Sequence, residues 1–140
     1  MPIKKFELDI EFECDFLLYG IVTQEIHHRL AWFINQHNPF VFTRIDDYEL
    51  ELNGIPAAFA CFEFKHEENH TTYLLLSNKD DGQYLLPDVK NCDYLLIIKG
   101  AIDFFEEQPL KEVFRQIPTV QFIYATDPNK MKSKTNLMYI

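Results

Sequence analysis

His66, Glu67 and His70 stand in the run KHEENH at the spacing H-E-x-x-H, a pattern that binds Zn²⁺ and activates its water when it lies on a helix. There, positions i and i+4 share a face, both imidazoles reach one ion, and the intervening glutamate takes the proton. The chemistry stands or falls with the element that carries the segment. FACFEFK before it and TTYLLL after it both read as strand. Each is too short for the buried helix this chemistry needs, so His66 and His70 are expected on a polar hairpin connection, with no third ligand following at a usable spacing. A connection carrying His66, Glu67, Glu68 and His70 could still take up a transition-metal ion adventitiously. A small metal-dependent hydrolase using this segment is therefore one alternative reading of the chain.

Other candidate chemistry is sparse. Cys14, Cys61 and Cys92 are odd in number and widely spaced, which indicates neither a disulfide framework nor a zinc ribbon; they read as buried free thiols. The four glycines are isolated, so no phosphate-cradling loop is present, and no cofactor is expected. A net charge of −9 at pH 7 repels nucleic-acid phosphate and anionic lipid as general partners. Lys130, Lys132 and Lys134 in NKMKSK form a local basic cluster, the candidate segment for a partner. An RNA-associated accessory role through them is a second alternative.

The elements that must position these groups are legible in the hydrophobic pattern. In KKFELDIEFE, Phe6, Leu8, Ile10 and Phe12 alternate with carboxylates, the mark of a half-buried strand. DFLLYGIVT reads as a buried central strand. In TQEIHHRLAWFINQHNP, Ile26, Leu30, Phe33, Ile34 and His37 recur at helical spacing, with Thr23 as candidate N-cap and Asn38-Pro39 as stop. FVFTRIDDYELELNG alternates again and ends in an Asn53-Gly54 turn. KDDGQYLLPDVKN reads as a loop and DYLLIIKG as a buried strand. Pro109 suits the first turn of a second helix with Leu110, Val113, Phe114 and Ile117 as its stripe. TVQFIYAT is the last strong strand.

The segment LPDVKNCDY, residues 86–94, resembles the family of small bacterial proteins named for its I-P-E-x-x-x-V-D-Y motif. Pro87, Asp93 and Tyr94 match directly, while Leu86, Asp88 and Cys92 stand at the Ile, Glu and Val positions. DFLLYGIVT, RLAWFINQ and DPNKMKSKTNL are also similar to segments of that family, which has no assigned reaction. Asp88 has a shorter reach than Glu, which counts against a catalytic carboxylate. As architecture, Pro87 fixes a turn and Asp88 can cap backbone amides. If the motif binds a ligand, Asp88, Lys90, Asp93 and Lys99 are its polar groups.

The 140 residues are expected to form a single α+β domain, 1–140, with 47% hydrophobic and 15% aromatic residues to fill its core. Its expected architecture is an elaborated ferredoxin-like (split βαβ) antiparallel sheet with two helices packed on one face. The unit DYLLIIKG, LKEVFRQIPTV, QFIYAT is similar to the closing βαβ of dimerising ligand-binding domains of the ACT type, which implies a homodimer. No apolar run reaches the length of a membrane span and Met1 to Lys5 shows no secretory leader, so the chain is expected in the cytoplasm. The leading expectation is a non-enzymatic binding or adaptor module that acts through a protein partner or a small ligand.

Overall fold

The computed structural model describes residues 12–140; the strand expected in KKFELDIEFE lies almost wholly outside them. The described chain is α+β, with a six-stranded antiparallel sheet and two α-helices. In chain order these are β1 (Leu17–Thr23), α1 (His27–Asn35), β2 (Thr43–Leu52), β3 (Ile55–His66), β4 (Thr71–Ser77), β5 (Lys79–Asp80), β6 (Gln83–Tyr84), β7 (Tyr94–Gly100), α2 (Glu107–Arg115) and β8 (Val120–Thr126). The large sheet has the order β2-β3-β4-β7-β1-β8, and β5 pairs only with β6. β7 and β8 flank β1 and both run antiparallel to it, so the crossover through α2 passes over β1.

The centre of the sheet is covered on both faces, which is why β7 reads as an unbroken apolar run, with Tyr94 to Ile98 all buried. Alternate residues feed two separate cores. Tyr19, Phe62, Phe64, Tyr73, Leu75, Leu96 and Ile98 meet Leu30 and Ile34 of α1 and Leu110 and Phe114 of α2. Leu18, Phe59, Cys61, Leu74, Leu76 and Ile97 meet Leu85, Leu86, Met131 and Leu137. Both helices therefore sit on one face. The other face is covered by the turn after β6 and by the C-terminal segment.

Local chemistry sets most boundaries. Asn53 and Gly54 both take positive φ, 53° and 78°, giving the tight β2–β3 hairpin. Pro109 lies in the first turn of α2, where its missing N–H costs nothing. Thr23 differs from expectation: it ends β1, and α1 begins four residues later without a side-chain cap. Its hydroxyl accepts from Glu25 N at 3.1 Å and donates to Thr119 O at 2.7 Å, tying β1 to the chain before β8. The segment expected as a plain loop, KDDGQY, folds as the small β5–β6 hairpin, because Asp81 and Gly82 both adopt positive φ. No helix among the described residues is long and apolar enough to cross a membrane.

Candidate functional site

The H-E-x-x-H run sits at the tip of the β3–β4 hairpin. His66 is the last residue of β3 and pairs with Thr71, the first of β4. Between them Glu67–Asn69 form a single 3₁₀ turn, and His70 takes a left-handed conformation at φ 54°. A 3₁₀ turn bounded by a reversal does not place i and i+4 on one face, so the two imidazoles are not presented as the zinc motif requires. The His66 ring stacks on Phe64 with centroids 5.5 Å apart, whereas His70 is exposed. Among the described residues, no three His, Cys, Asp or Glu side chains are grouped to hold a metal ion.

His66 faces something else. β7 ends beside the hairpin at Gly100, at φ 103°, where a Cβ would lie 2.4 Å from His70 O. Ala101 N donates to that same carbonyl at 3.0 Å, and the following connection through Glu106 leads into α2. With the residues that follow α1, these segments enclose a pocket of about 520 Å³, within the usual range of small-molecule sites. Pro39, Phe40, Tyr73, Phe104, Phe105, Pro109, Leu110 and Val113 form its apolar lining; Asn38, His66, Asn69, Thr71 and Glu106 are polar. Tyr73 is fixed in an aromatic network, with Phe40 and Phe64 each 5.5 Å away and Phe105 at 6.5 Å. Burial pushes its phenol pKa up, opposed by the neighbouring Thr71 hydroxyl.

Two of the lining residues, His66 and Thr71, each carry a side-chain atom, Nδ1 and Oγ1, that is buried beneath the pocket surface and has no hydrogen-bond partner among the described residues. The Thr71 hydroxyl lies beside Tyr73 without a well-formed bond to it. Thr71 is only 5% exposed, and the two other buried polar residues, Thr23 and Asn78, are fully engaged. A third unpaired atom, His27 Nδ1, lies elsewhere, where the ring packs on Phe62. There, burial and then the Arg44 charge lower the imidazole pKa.

The polar groups of the LPDVKNCDY segment do not line one cavity. Asp88 accepts from Lys132 N at 3.0 Å, Ser133 N at 3.1 Å and the Ser133 hydroxyl. Burial raises its pKa, but these donors outweigh it and hold the carboxyl below its ordinary value. Asp93 accepts from Thr23 N and from Lys79 Nζ, both at 2.9 Å. Lys99 Nζ donates to Ile140 O at 3.1 Å, and Lys90 is exposed. Asp93 and Lys99 stand toward opposite ends of β7, roughly 20 Å apart on extended chain. The basic cluster is divided as well: Lys130 and Lys132 are exposed, while Lys134, 16% exposed, lies 3.7 Å from the Glu13 carboxylate.

Thr71, Tyr73 and Glu106 gave no signal in the sequence, because hairpin, connection and helix meet only in the fold. No family model matches the chain, and no curated protein or solved structure matches it either.

Proposed function

We propose that the chain is a binding module whose small-molecule ligand occupies the pocket between the β3–β4 hairpin and α2. The observation that carries this reading is the pocket itself, about 520 Å³, walled by Phe40, Tyr73, Phe104 and Phe105 with His66, Thr71 and Glu106 as polar groups. An apolar pocket with a few convergent polar groups is the usual form of a small-molecule site. Binding rather than turnover is favoured because the Thr71 hydroxyl has no imidazole bonded to it as a base, the arrangement an activated nucleophile needs. Screening single-ring fragments by amide chemical-shift perturbation tests the reading. Shifts confined to Thr71, Tyr73, Ala101 and Phe105 are expected; hits scattered over the surface, or none, would reject it.

Membership of the I-P-E-x-x-x-V-D-Y family is part of the same proposal, supported by the structural work of Pro87, Asp88 and Asp93 in this chain. A ferredoxin-like origin of the sheet is supported by the β7–α2–β8 crossover over β1. A cytoplasmic setting fits three buried thiols left free. Homodimerisation rests on a separate observation: among the described residues β8 is an edge strand of the sheet, and Phe122 on it is 67% exposed. Light scattering on the eluting protein tests this, and a monomer mass at high concentration would remove the dimer.

A further inference from the structure

We infer that the pocket's ligand is an organic cation, a free small-molecule amine whose ammonium head is carried on an aromatic or apolar body. This rests on the small-molecule reading above and adds the charge of the ligand to it. The walls present Phe40, Tyr73, Phe104 and Phe105, and aromatic faces carry the negative end of a quadrupole that attracts ammonium groups. The segments that border it, Glu67–Asn69 and residues 101–106, carry Glu67, Glu68, Asp103 and Glu106, of which Glu106 lines the pocket, and neither lysine nor arginine. Neighbouring cations are committed elsewhere. Lys111 is paired with Glu107 at 2.8 Å, Lys99 is bonded to Ile140 O, and Lys65, one residue before His66 on β3, points to the opposite face of the sheet.

The positive end of α2 also borders the pocket and by itself favours an anion. Glu106 at its N-cap and Glu107 in its first turn answer that partial charge with two carboxylates. Glu106 decides the sign: it is the one carboxylate among the lining residues, and no lysine or arginine joins it. An ammonium head is attracted to it, and a carboxylate ligand is repelled. Phe104 lines the mouth while 94% exposed, so its ring is free to fold over a bound head group.

Three probes of one shape and different charge test the inference: phenethylamine, phenethyl alcohol and phenylpropionate, titrated into the intact chain at low salt and followed by amide shifts and calorimetry. Phenethylamine is expected to bind about tenfold more tightly than the alcohol, with the advantage lost in Glu106→Gln and on adding salt. Phe104→Ala changes a side chain with no packing to lose, so it folds, and it is expected to weaken the amine several-fold. If the alcohol or the carboxylate binds as tightly as the amine with the same shifts at Thr71 and Tyr73, the cation is wrong and the pocket stands. If none of the three moves those resonances, both readings fall.

Discussion

The two faces of the sheet are covered by different kinds of chain, and their polar groups are treated differently as a result. Over one face lie α1 and α2, whose backbone groups are largely satisfied within the helices. Over the other lie short turns and the C-terminal segment, which satisfy part of their backbone through local turns and take further partners from side chains. Asn78, fully buried, donates to Val89 O at 3.1 Å and Cys92 O at 3.0 Å and accepts from Leu86 N at 2.8 Å. Asn136 holds Leu85 O, Asn129 clasps both backbone groups of Cys14, and Asp88 holds Lys132 and Ser133. Polar side chains on the irregular cover are thus matched and structural. On the helical side the hairpin tip keeps two unmatched atoms, in two residues that line the pocket.

The comparison breaks most visibly at Asn78. Asn78→Ala removes the donor and acceptor that the turn depends on and leaves buried backbone groups of Leu86 and Cys92 without partners. A loss of about 3 kcal/mol is expected from urea unfolding; wild-type stability would mean that the turn is held by packing alone. Gly20→Ala comes next. Its Cβ would lie 2.3 Å from Cys92 Sγ, itself hydrogen-bonded to the Tyr124 hydroxyl at 2.9 Å, and overpacking there costs about 2 kcal/mol. Combining it with Cys92→Ala opens the space, so the double variant is expected to be more stable than the two separate losses added together. Strict additivity would show that the clash is relieved elsewhere.

A smaller effect tests the C-terminal cover. Asp88→Asn weakens the three bonds from Lys132 and Ser133 and is expected to cost about 1 kcal/mol at neutral pH. Because the folded carboxyl titrates below its ordinary value of 3.8, the folded state binds its proton less readily than the unfolded state. The stabilisation is therefore whole above that value and is lost as pH falls through the lower folded one. The gap between wild type and Asp88→Asn should close on acidification below about pH 3.8. A gap that persists at lower pH would assign the bonds to packing rather than to charge.

The strands and helices were legible where one rule dominated. The apolar run of β7, the Asn53-Gly54 hairpin and the Leu110, Phe114 and Ile117 stripe each follow from local pattern. Thr23 was misplaced because a threonine before an apolar helix also serves as the last residue of a buried strand, and its long-range bond to Thr119 O has no local signature. Asn78 was silent for the same reason: its partners lie 8 to 14 residues away. The motif at His66 to His70 lies on the hairpin connection expected for it, not on a helix. Of its two histidines only His66 lines the pocket, and the groups that give the pocket its character come from residues 38–40, 71–73 and 101–113, which periodicity cannot bring together.

The finest test of the comparison sets two buried threonines side by side. Thr23 and Thr71 are 1% and 5% exposed, and each can be replaced by valine with almost no change of shape. Thr23→Val deletes a hydroxyl that donates to one backbone group and accepts from another, so a loss of about 1–2 kcal/mol is expected. Thr71→Val deletes a hydroxyl with no well-formed bond, so its stability should stay within about 0.5 kcal/mol of wild type or rise slightly, since a buried polar atom without compensation is removed. The same variant changes one polar residue of the pocket lining, so its affinity for phenethylamine is expected to shift while its fold does not. Thermal unfolding and calorimetric titration of both variants measure this directly. Equal losses of stability at the two positions would mean that Thr71 is already satisfied within the fold, and the helical side would then carry no more unspent polarity than the other.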